Sequence, residues 1–264
     1  MAAACPPEFV ALAERLADRA GEIVRSHFRR PAALDLKPDA SPVTEADREA
    51  EQAMRELIRA SFPDHGVIGE EFAAERADAD HVWVLDPIDG TAGFVTGEPV
   101  FGTLVALTHR GVPILGVIDQ PISRERWLGA RGRATTLNDA PARTRACPDI
   151  GRAALYTTGP EWFTGPDEAA FRRLSGSVGL CRYGADCYAF GLLASGFVDF
   201  VVETGMGPHD FCALVPVVEG AGGVVTDWRG RPLTTASDGR VLASGDRAGH
   251  AAALALLAGA EASS

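Results

Sequence analysis

The chain has 264 residues, 46% hydrophobic and 23% charged. It is therefore too apolar to be disordered and near the upper end for one cooperative core. With 25 basic against 36 acidic side chains the formal net charge is −11. That balance argues against a nucleic-acid partner, whose phosphates are neutralised by lysine and arginine. Lys37 is the only lysine. The five cysteines (Cys5, Cys147, Cys181, Cys187, Cys212) form no Cys-x-x-Cys pair, so reduced thiols in a cytoplasmic protein are expected. The N-terminus has neither a basic nor an apolar leader region, and no run approaches the roughly eighteen apolar residues that span a bilayer. Neither secretion nor a membrane partner is expected.

After Pro6-Pro7, apolar residues at three- and four-residue steps from Phe9 to Val24 predict a helix to about residue 27. A second helix should start at Thr44, where Thr44-Glu-Ala-Asp47 has capping-box spacing, and turn Ala50, Met54, Leu57 and Ile58 inward. A proline- and aspartate-rich connection over 31–42 joins the two. Short apolar runs over 82–85, 103–108, 112–118 and 126–129 read as strands, with 103–118 a hairpin turning at His109-Arg110-Gly111. The second half alternates. Strands are predicted at 153–157, 197–203, 223–226 and 240–244, and helices at 168–174, 187–195, 210–219 and 248–258. That order implies an α/β chain of mixed sheets layered with helices.

Chemistry concentrates in Gly69-Glu70-Glu71 and Asp86-Pro87-Ile88-Asp89-Gly90-Thr91. An apolar strand ends at Asp86, Pro87 is expected to force a turn, and Asp89 can then point the same way at the start of the next element. Asp-Pro-x-Asp-Gly is equally an ordinary polar turn. Asp210 follows a Gly-Pro break and equally suits a helix N-cap. Should Glu70, Asp86, Asp89 and Asp210 converge, each carboxylate pair about 5 Å apart repels by about 3 kcal/mol at an effective dielectric near 20. Such a group needs protons or cations. Its all-oxygen donors select a hard ion, Mg2+ with Mn2+ as a substitute, and disfavour zinc.

These boxes, with Pro208-His209-Asp210-Phe211 and Glu219-Gly-Ala-Gly-Gly, resemble the inositol monophosphatase superfamily of magnesium-dependent phosphatases over nearly the whole chain. Further segments resemble its histidinol-phosphatase branch: Lys37-Pro-Asp-Ala-Ser-Pro-Val-Thr-Glu-Ala-Asp47, Leu115-Gly-Val-Ile-Asp-Gln-Pro-Ile, Glu125-Arg-Trp and Tyr183-Gly-Ala-Asp-Cys-Tyr-Ala. The resemblance implies a layered α-β-α-β-α sandwich of the inositol monophosphatase and fructose-1,6-bisphosphatase type. It spans one domain, 1–264, with two closely packed halves at about 1–145 and 146–264. It further implies that Glu70, Asp86, the Ile88 carbonyl, Asp89 and Asp210 hold two or three Mg2+. The Gly90 and Thr91 amides, with Lys37 nearby, would hold phosphate. Asp47 and the Thr91 hydroxyl would orient the attacking water, with Glu70 beside them.

Asp47 also suits a plain capping role, reaching back to the Thr44 amide. Substrate choice is expected at Asp186, Glu203, His209, Tyr183 and Gly184. Asp186 can pair with a substrate ammonium, Glu203 can accept from sugar hydroxyls, and His209 is equally a neighbour of the site or a surface residue. The branch pattern is broken at Ala92, where lysine or arginine is usual, and at Gly207-Pro208-His209. The implied activity is Mg2+-dependent hydrolysis of a small phosphorylated metabolite, with L-histidinol phosphate leading. Inositol 1-phosphate or another sugar or nucleotide 3'-phosphate is the alternative, and a non-catalytic phospho-ligand binder the reading from another class. A homodimer is expected from the family.

Overall fold

In a computed structural model of the chain, residues 4–30, 35–36 and 42–259 are described; Lys37 lies outside them. In chain order the first half runs α1 (Pro7–His27), β1 (Asp35–Leu36), β2 (Pro42–Val43), α2 (Glu45–Ser61), β3 (Gly66–Gly69), β4 (His81–Asp89) and α3 (Thr91–Thr96). It continues with β5 (Gly102–His109), β6 (Val112–Gln120), β7 (Glu125–Ala130), β8 (Thr136–Leu137) and β9 (Ala140–Pro141). The second half holds β10 (Ala154–Thr157), α4 (Pro166–Ser175), β11 (Leu180–Tyr183), α5 (Asp186–Ala194) and β12 (Phe200–Glu203). It closes with α6 (Pro208–Phe211), α7 (Leu214–Gly220), β13 (Val224–Thr226), β14 (Val241–Ser244) and α8 (Arg247–Ala258).

Two mixed sheets result. One is ordered β3-β4-β5-β6-β7-β8-β9 and the other β11-β10-β12-β14-β13. The apolar stripe of α1, from Phe9 to Val24, packs with α2 against β4, β5 and β6. Helices α5 and α7 touch strands of both sheets, and α4 and α8 cover the far side of the second. Three apolar clusters fill the spaces between these layers. The layers are thus α-β-α-β-α, as expected.

Three local readings change. The span 82–85 extends through Asp86-Pro87-Ile88-Asp89 as one strand. Asp86 pairs with Leu104 and Asp89 with Gly102, so a bulge stands where a turn was expected. The single helix expected over 210–219 is two, α6 and α7. Pro216 has no N–H for the Cys212 carbonyl one turn back, which weakens the ladder at the junction. Strands β3 and β11 were not anticipated; both are four residues long, with glycine at or just beyond an end.

Gly116 and Gly129 are cross-strand partners on β6 and β7. A Cβ on Gly116 would lie 1.9 Å from the Ala213 carbonyl oxygen, and one on Gly129 2.2 Å from that of Pro216. The paired glycines form a trough in which the 213–217 backbone rests directly on the sheet, fixing the height of α6 just before it. Gly116→Ala should therefore lower stability by about 1–3 kcal/mol in thermal denaturation, because the overlap is with backbone.

His250 of α8 is 5% exposed, between the Thr226 hydroxyl (2.8 Å) and the Ser244 hydroxyl (2.9 Å). Burial pushes its pKa down to about 4. The unfolded chain, titrating near 6.5, takes up that proton first, so stability falls as pH drops from about 6.5 toward 4. From pH 7 to 5 this histidine should cost about 2 kcal/mol. Denaturation of His250→Gln across that range should show a shallower loss than the parent.

Candidate active site

Along β4, Trp83 and Leu85 join the cluster under α1 and α2, while Val84 joins the one between the sheets. The two-residue period sends Asp86 to the middle layer with Val84. Asp89, three residues on, would face the other way in a regular strand. The bulge between them restores the phase, and both aspartates meet Asp210. Ligand oxygens of Asp86, Asp89 and Asp210 lie within 4.8 Å of one another.

A backbone N–H holds each one. The Ile88 N–H donates to Asp86 Oδ1 (3.0 Å), the Cys187 N–H to Asp89 Oδ2 (2.6 Å) and the Gly207 N–H to Asp210 Oδ2 (2.6 Å). The Thr91 hydroxyl donates to the Ile88 carbonyl at 3.0 Å, leaving that oxygen a second lone pair. Gly90 takes φ +84° at the start of α3, and a Cβ there would stand 3.0 Å from the Asp186 carboxyl carbon. Asp186 itself is left-handed, at φ +43°, a conformation aspartate tolerates better than most residues.

The electrostatics are those of uncompensated acids. Burial first, then the charges of Glu70, Asp89 and Asp210, raise the Asp86 carboxyl well above its ordinary range, and a hydrogen bond with Glu70 adds to this. Asp89 is raised by burial and by Asp186 and Asp210. Asp186 is pushed to about 6, chiefly by burial, against a hydrogen bond from Thr158.

Asp47 fills the capping role and keeps one oxygen out of it. Its Oδ2 accepts the Thr44 N–H (2.9 Å) and hydroxyl (2.6 Å), while Oδ1 is buried with no partner among the described residues. Burial raises it to about 6, with Glu71 and Glu70 adding to the shift. Three converging carboxylates, a carbonyl with a spare lone pair and an orphaned carboxylate oxygen fit a hard divalent cation and its water.

The cluster lies under a two-lobed cleft. One lobe, of 640 Å3, is lined by Glu70, Asp86, Ile88, Asp89, Gly90, Thr91, Gly184, Asp186 and Asp210 among others. The second, of 430 Å3, adds Glu203, Met206 and His209. No arginine or lysine among the described residues lines either lobe. His209 Nε2 sits 3.5 Å from Asp210 Oδ1, so it is a neighbour of the cluster. Glu203 is buried with its oxygens taken by the Thr157 hydroxyl and the Thr158 N–H and hydroxyl. It thereby ties the end of β10, and Thr158 beside Asp186, to β12. Tyr183 is exposed and lines neither lobe.

Two residues without any motif signal also matter here. Trp162 lines both lobes with 60% of its surface exposed, and Thr158 lines both as well. Two further clefts, of 560 and 540 Å3, contain none of the expected site residues.

Residues 6–261 match the inositol monophosphatase family. The chain is 50% identical to "Bifunctional phosphatase IMPL2, chloroplastic" of Arabidopsis thaliana, over 93% of this chain and 74% of that protein. It is 37% identical to a histidinol-phosphatase of Chlorobaculum parvum, over 88% and 91%. A solved structure of an inositol monophosphatase from Zymomonas mobilis superposes with a TM-score of 0.89 at 46% identity, covering 96% of this chain and 98% of that one. The chain belongs to the inositol monophosphatase family, and is one of its phosphoric monoester hydrolases.

Proposed function

We propose that the protein is a Mg2+-dependent phosphomonoesterase whose substrate is L-histidinol phosphate. The convergence of Asp86, Asp89 and Asp210 within 4.8 Å, with no lysine or arginine lining the cleft among the described residues, carries the reading. Glu70, Asp86, Asp89, Asp210 and the Ile88 carbonyl would hold the cation. Bound Mg2+ would supply the positive charge that makes water nucleophilic at neutral pH and stabilises the departing oxygen.

The chain's own groups do the rest. Asp47 offers its unpartnered Oδ1 as acceptor for a proton of the attacking water. The Thr91 hydroxyl, its proton committed to Ile88, keeps lone pairs for the same water. Gly90 to Gly93 line the phosphate end of the cleft, where first-turn amides suit an anion.

Beside that site, the cleft lining supports an amine-bearing aromatic ester. Asp186, tethered by Thr158, offers a carboxylate to an ammonium, and the exposed Trp162 indole offers a face to an imidazole. With the oxygens of Glu203 already engaged, sugar hydroxyls find fewer free acceptors here. The name of the Chlorobaculum relative agrees with this reading; that of the Zymomonas structure keeps an inositol monophosphate as the comparison substrate. All five cysteines are free thiols, which suits a reducing compartment such as the cytoplasm. No described helix is long and apolar enough to cross a membrane.

Phosphate release from a panel of monoesters should require Mg2+, and Asp210→Asn should lower kcat by about a hundredfold or more, since loss of even an indirect ligand partner costs about 10–100-fold. No turnover of any monoester with Mg2+ present would sink the enzyme reading. Asp186→Ala should raise KM for histidinol phosphate by about tenfold while changing that for inositol 1-phosphate little, as expected for one lost charged hydrogen bond. An equal loss on both esters refutes the ammonium role.

A further inference from the structure

The polar face of α2 presents Asp47, Glu51 and Arg55 at successive four-residue steps, one above the other. Glu51 and Arg55 are 0% and 1% exposed, and the Arg55 Nε donates to Glu51 Oε1 at 2.7 Å. Removing two charges from water costs several kcal/mol per ion even after relaxation, so a buried pair is weak evidence of a stabilising role. Its bonds lead elsewhere. Glu51 Oε2 accepts the Glu71 N–H at 2.7 Å. Arg55 donates to the Phe72 carbonyl (3.1 Å) and to Glu75 Oε1 (2.9 Å). A Cβ on Gly69 would lie 2.0 Å from Glu51 Oε1, so the carboxylate is pressed against the backbone on one side of Glu70 and bonded to it on the other.

We propose that the Glu51–Arg55 pair is a positioning device for the cation site: it clamps the 69–72 backbone on both sides of Glu70 and sets that carboxylate toward Asp86. The inference rests on the reading of Glu70 as a cation ligand. Three features support it. Four carboxylates repel one another, so Glu70, which follows the short edge strand β3, needs an anchor outside the cluster. Residues 70 and 71 directly follow that strand, and the Glu71 N–H donates to a side chain of α2. The same helix carries Asp47 one turn earlier, so one rigid element sets both the unpartnered oxygen and the Glu70 backbone.

A positioning role predicts weaker cation binding with the chemistry intact once the cation is bound. The test is titration of the metal-free enzyme with Mn2+, read by the electron paramagnetic resonance of the free ion, beside the Mg2+ dependence of turnover. Glu51→Met/Arg55→Met removes both buried charges together, the kind of replacement that leaves such proteins folded. It should raise the Mn2+ Kd by about tenfold, the low end for a partner of a metal ligand. At saturating Mg2+ its kcat should recover to within about threefold of the parent, since the ligands themselves remain. Arg55→Lys keeps the charge but loses the fork that reaches three acceptors, and should raise Kd by about threefold. Parental Mn2+ affinity in the folded double variant overturns the proposal; if that variant does not fold, parental affinity in Arg55→Lys does so. Glu70→Gln separates the two ideas. If it binds Mn2+ as the parent does, the ligand reading itself fails; if it binds weakly while the clamp variants bind normally, only the clamp fails.

Discussion

The mutual repulsion of buried carboxylates at the end of β4 is the constraint on which the rest of the molecule depends. Each close pair costs about 3 kcal/mol at an effective dielectric near 20, and Asp86 has three such neighbours. No chain would hold this arrangement by local preference. It persists because each acid belongs to an element anchored elsewhere. Asp86 and Asp89 ride a central strand of the seven-stranded sheet, and Asp210 a short helix whose continuation lies in a glycine trough. Glu70 follows an edge strand whose exit is gripped from α2. The apolar layers supply the stability that the site consumes, as expected where charge preorganisation matters more than local comfort.

Anchoring explains why the site sits between the sheets. Helices α5, α6 and α7 form the middle layer, so acids from β4 and from the second half can meet there at the floor of the cleft. Asp186 illustrates the junction. It starts α5 in a left-handed conformation, rests its carboxyl against Gly90 of the first half, and takes a bond from Thr158 at the end of β10. The residue proposed to read substrate is thus wedged against the residue proposed to touch phosphate. A shift of the second half relative to the first would move recognition and chemistry together.

Much of this was legible in the residues themselves. The apolar stripe of α1, the Thr44 start of α2, the 103–118 hairpin and the alternation of the second half follow from periodicity and turn chemistry, and each is present. The four acids were legible as a group because a strand, a Gly-Pro break and a Gly-Glu-Glu segment deliver them. What escaped was long-range. Whether Asp86 and Asp89 share a face depends on a bulge set by pairing with β5, which no spacing within the box reveals. Glu51 and Arg55 look like the solvated face of an amphipathic helix, and only the docking of the 69–75 segment buries them. Trp162 sits among glycine and proline with no periodic signal, and its importance comes from the cleft beside it. Over 210–219 the apolar pattern is genuinely helical, yet Pro216 divides it.

The acidic balance also acquires a location. Spread over the surface, a net charge of −11 would simply repel a phosphate ester. Seven of those acids line one lobe of the cleft, and on the proposed reading two or three divalent ions there would bring the total to about −7 or −5 and offset much of that local charge. On the same reading the acids not used for the cation have a different task. In the lobe that Gly90 and Thr91 line, Asp186 and Glu161 stand with the Trp162 indole. A dianionic ester with a neutral polar tail gains at one end only. An ester whose tail carries an ammonium and an aromatic ring gains at both, because carboxylates that the cation does not use, and the indole face, would attract that tail.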